Sequence, residues 1–201
     1  MTAIEILGLA SSLSLLAGWR LYLTVLVTGV AMRMGWIDLP DQLAALDALA
    51  SPWVIGLAAF GTLAEFFADK IAWLDSLWDA VHGFVRPVGG ALIALAIVDA
   101  SDPVWQVLVF LAGGGAALLG HAGKASARAV INTSPEPVSN IVVSGTEDVA
   151  SIGLLALALA NPVAALIVAA VVAAASLALL WAASRLLRRL FGRQPVLPPR
   201  T

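Results

Sequence analysis

The sequence contains no cysteine, which excludes disulfide bonds and thiolate metal ligands. Charged residues are also scarce, at 12% of the chain, whereas 61% of the 201 residues are hydrophobic and the mean hydropathy is +0.96. A water-soluble domain of this size needs a far more polar surface. The first nineteen residues have no lysine or arginine. We therefore do not expect a cleavable signal peptide, which would begin with basic residues.

Long apolar runs are the main positive feature. Those near 21–35, 52–68, 104–120 and 162–183 reach or approach the length needed to cross a hydrocarbon core of ~30 Å. The sequence therefore predicts an all-α, polytopic transmembrane helix bundle of about seven helical segments, two or three of them short or broken. A single transmembrane domain over 1–184 and a basic, proline-containing cytoplasmic tail over 185–201 are expected. The lipid bilayer is the expected partner, and nucleic acid is not.

Breaks at glycine, proline and polar residues divide the chain into segments. The predicted apolar segments are 3–17, 21–35, 52–70, 87–98, 104–128, 148–160 and 163–184, with an amphipathic interfacial helix at 71–86 and loops at 36–51 and 132–147. Segments 87–98 and 148–160 give only ~18–20 Å of helix each. Whether these two fully cross is left open. Each precedes an Asp-Pro or Asn-Pro step and a longer helix, and such repeated, interrupted helices mark binding sites in transporter folds.

The basic residues predict an orientation. If all seven apolar segments cross and the N-terminus lies outside, ten of the eleven basic residues lie on the cytoplasmic side, and Arg33 is the exception. This bias agrees with the positive-inside rule. The sequence therefore predicts an N-terminus outside and a C-terminus in the cytoplasm.

Ionisable residues interrupt the apolar segments at regular helical spacings. Glu65 and Asp69 are four apart and share a helix face. A stripe of Asp75, Asp79, His82 and Arg86 is spaced 4, 3 and 4. A plain alternative is that this stripe is the solvated face of an interfacial helix.

Two further clusters follow the same logic. His121, Lys124 and Arg128 share one face, although basic residues near a helix C-terminus can serve only as anchors to headgroups. Ser144 and Glu147 have the spacing of a helix capping box, with Asp148 beyond what a cap requires. Ser139 and Asn140 after Pro137 suggest a local turn. The candidate binding residues are Glu65, Asp69, Lys70, Asp75, Asp79, His82, Arg86, His121, Lys124, Arg128, Ser139, Asn140, Ser144, Glu147 and Asp148.

We expect these clusters to meet in one pocket on the cytoplasmic side, because lipid cannot satisfy their polar groups. Such a mixed site can bind a divalent cation, relay protons or hold a phosphate. The candidate metal ligands are Glu65, Asp69, Glu147 and Asp148. A phosphate-binding loop, a zinc-protease motif and a hydrolase nucleophile motif are all absent from the sequence.

Several stretches together resemble a known family. They are AGWRLYLTVLVTG, EFFADKIAWLDSLWDAVHGFVRP from Glu65 to Pro87, GHAGKASAR, and PVSNIVVSGTED from Pro137 to Asp148. They are similar to a bacterial membrane family known as domain of unknown function 4126, over about residues 5–165. The resemblance implies a multi-pass protein of the bacterial inner membrane, but it brings no established activity.

Three functions remain open on this sequence. The leading hypothesis is a transporter or channel-like protein with a polar site for a cation, a proton or an anion. The second is a metal-dependent enzyme acting on a lipid or polyprenyl phosphate, with a divalent cation as its cofactor. The third is a structural or regulatory membrane protein. Whether the protein is an enzyme, what its substrate is, and whether it forms homo-oligomers stay open.

Overall fold

The computed structural model describes residues 1–36, 41–98, 102–131 and 137–191. In chain order its elements are α1 (Ala3–Arg33), a 3₁₀ helix (Asp41–Ala50), α2 (Pro52–Ala68), α3 (Ala72–Ile97), α4 (Pro103–Ile131), α5 (Pro137–Ala160) and α6 (Pro162–Phe191). No strand occurs in these ranges, so the predicted all-α class is confirmed.

Five helices, α1 and α3 to α6, are long and apolar enough to cross a membrane. α2 is a shorter apolar helix. Large hydrophobic side chains such as Trp53, Phe60 and Leu92 lie exposed on the outside of the bundle. A surface of this kind suits lipid rather than water. The protein is therefore a multi-pass membrane protein, as predicted.

Helix α1 is divided at Arg20, where φ is −144° and ψ is 78°. A Cβ on Gly8, in the first half of α1 (residues 3–19), would collide with the carbonyl oxygen of Pro162. Ala31, in the second half (residues 21–33), lines the same groove as Ala160. Both outer ends of α1 thus lie near the junction of α5 and α6. The two halves fold back on each other with Arg20 at the tip, in agreement with the predicted break between 3–17 and 21–35.

Helix α1 is the centre of the bundle and contacts every other α-helix. Its buried leucines form a core with apolar side chains of α3 and α5, including Leu9, Leu13, Ile97 and Leu155. Gly18 packs directly against the backbone of Ala117 in α4. Small residues allow this close backbone approach, which is how helices pack where lipid supplies no hydrophobic driving force.

Helices α3 and α5 correct two predictions. The stretch 71–86 is not a separate interfacial helix, because α3 continues through Pro87 as one 26-residue element. Likewise 137–147 is not a loop, since α5 runs for 24 residues. At 1.5 Å per residue both helices exceed ~30 Å and can cross the membrane fully. Proline inside a helix is tolerated in membrane spans, where neighbouring groups satisfy the carbonyl that it frees.

The predicted cap at Ser144 is also wrong, because Ser144 lies seven residues inside α5 and is buried. Other helix starts do have side-chain caps. Asp102 accepts hydrogen bonds from the backbone N–H groups of Val104 and Trp105, and Asn161 accepts one from Ala164. Within the predicted loop 36–51, residues 41–50 form the 3₁₀ helix.

Candidate functional site

The polar stripe of α3 faces the inside of the bundle. Asp75 and Arg86 are completely buried, and Asp79 and His82 are buried as well. The apolar residues between them lie outside: Trp73, Leu77, Val81 and Phe84 are each more than half exposed. The interpretation of this stripe as a solvated interfacial face is therefore wrong. The helix is amphipathic in the opposite sense, with its charges turned toward the other helices.

Arg86 is the centre of a buried charge network that links α2, α3 and α4. Its guanidinium donates to Glu65 Oε1 at 2.6 Å and to Asp79 Oδ1 at 2.9 Å. It also donates to His121 Nδ1 at 2.6 Å. Arg86 lies fourteen residues after Ala72, or about 21 Å along the helix axis. These contacts therefore sit deep within α3 rather than at its end.

Lys124 continues the network toward the end of α2. Its ammonium lies 3.5 Å from Glu65 Oε1 and 3.1 Å from Asp69 Oδ2. The neighbouring Arg128 pairs with Asp75 at 3.2 Å and donates to the backbone carbonyl of Asp69. The predicted shared faces of α2 and α4 thus meet each other directly.

Arg20 joins α1 and α5 to this network. At the tip of α1, its guanidinium lies 2.7 Å from Asp69 Oδ2 and 2.9 Å from Asp148 Oδ1. Glu147 lies 3.8 Å from Arg20 and 4.0 Å from Arg128. Lys70 approaches Ser144 Oγ at 3.3 Å. Side chains of five helices are therefore connected through one continuous set of contacts, which we call the charge network.

This environment shifts the pKa values of two side chains between α2 and α3, Asp69 and Lys70. Burial alone would raise the pKa of Asp69, but Lys124, Arg20 and Arg128 surround the carboxylate and hold its pKa below the ordinary value. Burial lowers the pKa of Lys70 despite the attraction of Asp148. Opposite charges favour the ionised carboxylate, whereas desolvation disfavours the ammonium.

A tyrosine–histidine pair borders the charge network. The Tyr22 hydroxyl lies 3.0 Å from His82 Nε2, and His82 Nδ1 lies 2.8 Å from the carbonyl oxygen of Trp78. Because a carbonyl only accepts, Nδ1 holds a proton, and in the neutral ring Tyr22 donates to Nε2. The rings of Trp78 and His82 are stacked, with 4.2 Å between their centroids. The absence of a side chain on Gly61 leaves room for the Tyr22 ring.

A polar cavity of about 310 Å³ lies beside the network between α3 and α4. Its lining includes Asp75, Asp79, His121 and Arg128, together with Ser76 and three alanines. Four side chains of the charge network therefore border this space. A small polar species in this cavity would lie beside these charges.

Every predicted site residue except Ser139 and Asn140 lies in or beside the charge network. Those two residues lie in the first turn of α5, and their side chains fall outside the described part of the structure. Sequence reasoning did not select Arg20 or Tyr22 as site residues. Arg20 had a usable signal, because an arginine between two apolar segments is costly in a membrane and is therefore kept for a reason. Tyr22 had no sequence signal of its own except that it follows Arg20 by two residues.

Among the described residues, no group of three or more histidine, aspartate or glutamate side chains is arranged to hold a metal ion. The predicted metal candidates Glu65 and Asp69 instead face cations, and so do Glu147 and Asp148. This arrangement suits mutual neutralisation more than cation coordination through several oxygens.

The model of one protein family, described as Domain of unknown function (DUF4126), matches residues 7–185. The chain belongs to this family, in agreement with the resemblance noted in its sequence. No curated protein and no solved structure matches the chain. The matched range includes every residue of the charge network.

Proposed function

We propose that this member of the family is a proton-linked transporter or channel-like protein of a bacterial inner membrane, and that the charge network is its proton-binding site. One observation carries the proposal. Glu65 is buried, and its Oε1 is close to both Arg86 and Lys124, while Oε2 has no hydrogen-bond partner among the described residues. A buried acceptor without a partner is costly, so a hydrogen-bond donor that enters the network would meet an unsatisfied oxygen here.

The charge balance of the network supports a cationic guest. Its carboxylates are Glu65, Asp69, Asp75, Asp79, Glu147 and Asp148, and its cations are Arg20, Lys70, Arg86, Lys124 and Arg128. With both histidines neutral, one negative charge is in excess. A proton or a small cation would balance it, whereas an anion would add to the excess.

His121 supplies a mechanism for coupling. Arginine can only donate hydrogen bonds, so His121 Nδ1 must accept from Arg86 and cannot hold a proton in this contact. Protonation at Nδ1 would place two positive groups against each other and push Arg86 away. His121 also borders the 310 Å³ cavity. Proton arrival from that cavity would therefore release Arg86 from one partner and rearrange the network.

The basic residues support a cytoplasmic position for the network. Lys70, Lys124 and Arg128 lie at the end of the bundle that contains the charge network, which we call the network end. Helix α6 contacts Gly123 through Ser176 and extends from there to Arg185 and Arg188 at the same end. The positive-inside rule assigns that end to the cytoplasm. The proposed protons thus enter the network from the cytoplasmic side.

A pH jump on proteoliposomes adsorbed to a solid-supported membrane tests the proposal without a known cargo. We expect a transient current when protons bind the network, and its loss in Glu65→Gln, which keeps the shape of the side chain and removes the charge. Asp102→Asn is the matched control, because this exposed carboxylate caps α4 far from the network and asparagine also caps well. A wild-type current no larger than that of empty liposomes would refute proton binding.

The pairing of the network also favours a second candidate, a structural role in which the charges hold the helices together. All five cations face a carboxylate or a polar group. In that case Glu65→Gln would lower thermal stability, and the wild-type protein would give no pH-jump current. The metal-dependent enzyme gains no support from the described residues.

A further inference from the structure

Four buried hydroxyls extend from the charge network into the bundle. Thr24 and Thr28 of α1, Ser151 of α5 and Ser12 in the first half of α1 are each at most 3% exposed. Of these, Thr28, Ser151 and Ser12 have no hydrogen-bond partner among the described residues. A buried hydroxyl without a partner is costly and requires an explanation.

Other hydroxyls of the bundle behave differently. Thr62, Ser76 and Thr146 each donate to the carbonyl four residues earlier, which is the usual local solution inside a helix. Buried Thr24 does the same with the carbonyl of Arg20. The buried hydroxyls of Thr28 and Ser151 forgo that bond, so their donors remain available to a guest.

Two of the unpartnered hydroxyls, Thr28 and Ser151, belong to the second half of α1 and to α5. The Arg20–Asp148 ion pair fixes the register of these two helices at the network. From there, Ser151 lies about 4.5 Å along α5, and Thr28 lies about 12 Å along α1. Thr24 occupies the turn between Arg20 and Thr28 on the same face. The row therefore leads away from the network toward the opposite end of the bundle.

Space exists along this seam. At the opposite end, a groove of about 820 Å³ lies between α1 and α5 and is lined by Val27, Ala31 and Ala160. Ser12 lies away from this seam, where the first half of α1, Leu154 and α6 enclose a separate cavity of about 10 Å³. That volume is about the size needed for a single water molecule.

We infer that the seam between the second half of α1 and α5 is a hydrated route by which protons pass between the charge network and the opposite side of the membrane. As a route for protons, it rests on the proposed function; as a hydrated seam, it can be tested alone. Water bound by Thr28 and Ser151 would satisfy their hydroxyls and continue the polar path beyond Arg20.

Thiol labelling of single cysteines tests the seam, because the chain has no cysteine of its own. Thr28→Cys and Ser151→Cys are close in size to the native residues. Leu155→Cys is the matched control, since it is fully buried one turn beyond Ser151. A positively charged methanethiosulfonate reagent is added to proteoliposomes, and intact mass follows the modification over time. Each variant is first checked for folding by gel filtration.

We expect Thr28→Cys and Ser151→Cys to react roughly tenfold faster than Leu155→Cys, because the reagent needs a thiolate and apolar burial suppresses that form. Equal rates for all three variants would overturn the inference. Reaction at Ser151→Cys alone would also overturn it, because the path would then end beside the network. Labelling needs no transport, so rapid labelling without a pH-jump current would leave the seam standing and remove the proposed function.

Discussion

At the network end of the bundle, charged side chains from five helices meet through ion pairs in addition to close backbone contacts such as that of Gly18 with Ala117, whereas the opposite end relies on close backbone contacts. Arg86 contacts Glu65, Asp79 and His121 at 2.6 to 2.9 Å. At the other end, Gly8 lies against Pro162 and Gly29 against Leu49, with no room for a Cβ. The network end therefore adds ion pairs to the close packing on which the opposite end depends.

The difference has a physical origin. Apolar side chains gain little by leaving lipid, so the apolar end depends on close van der Waals packing of small residues. The network end depends on charges that lipid cannot solvate and that must satisfy one another. A change of charge at constant size should therefore damage the network end most, and a change of size at constant polarity should damage the opposite end.

The largest expected effect follows removal of the central cation. Arg86→Met keeps much of the side-chain volume but leaves Glu65 and Asp79 without their guanidinium partner. We expect a loss of about 3–5 kcal/mol, the usual consequence of breaking a buried ion pair. Thermal unfolding in detergent would measure it.

Arg185→Met is the control, because Arg185 is exposed and its replacement should stay within about 0.5 kcal/mol. Adding Glu65→Gln to Arg86→Met should restore part of the loss, since the two residues are in contact. If Arg86→Met were no more harmful than the control, the network would not hold the bundle together.

The two ends also differ in how far the sequence predicts them. Apolar runs and helix breaks predict the helices of the opposite end well, including the Asp102 and Asn161 steps. At the network end, the polar residues predict an interfacial helix at 71–86 and a loop at 132–147. In a membrane bundle the polar face turns inward, so α3 continues through 72–86 and α5 through 137–147.

Spacing alone predicts most of the candidate site. The 4-3-4 stripe of α3 and the face of α4 place their charges on single helix faces, and the structure joins them. What spacing cannot supply is the partner across the bundle. Arg20 joins the network only because α1 folds back at that residue, and no local pattern fixes the angle between two helix halves.

The second prediction probes the opposite end by size. Gly8→Ala would place a methyl group against the carbonyl of Pro162 and should cost about 1–3 kcal/mol through overpacking. Gly153→Ala in α5 has open space around its Cβ and should instead gain up to about 1 kcal/mol from better helix propensity. The same unfolding assay compares them. A harmless Gly8→Ala would mean that the apolar end tolerates looser packing than the glycine contacts indicate.

The smallest expected effect is a pH dependence at the junction of α2 and α3. Burial opposes ionisation of Asp69, but its cationic neighbours prevail and hold its pKa in the folded protein below the value near 4 of an unfolded chain. Its ionised form therefore stabilises the fold above about pH 4, and this contribution is lost as the pH falls further.

The melting temperature of the wild-type protein should drop between pH 5 and pH 3. That of Asp69→Asn should drop less over the same interval, because the titrating group is gone. Gly153→Ala, which removes no titratable group, should keep the wild-type slope. An unchanged slope in Asp69→Asn would mean that Asp69 does not add to the electrostatic stability of the network end, and the contrast between the two ends would then rest on Arg86 and its partners.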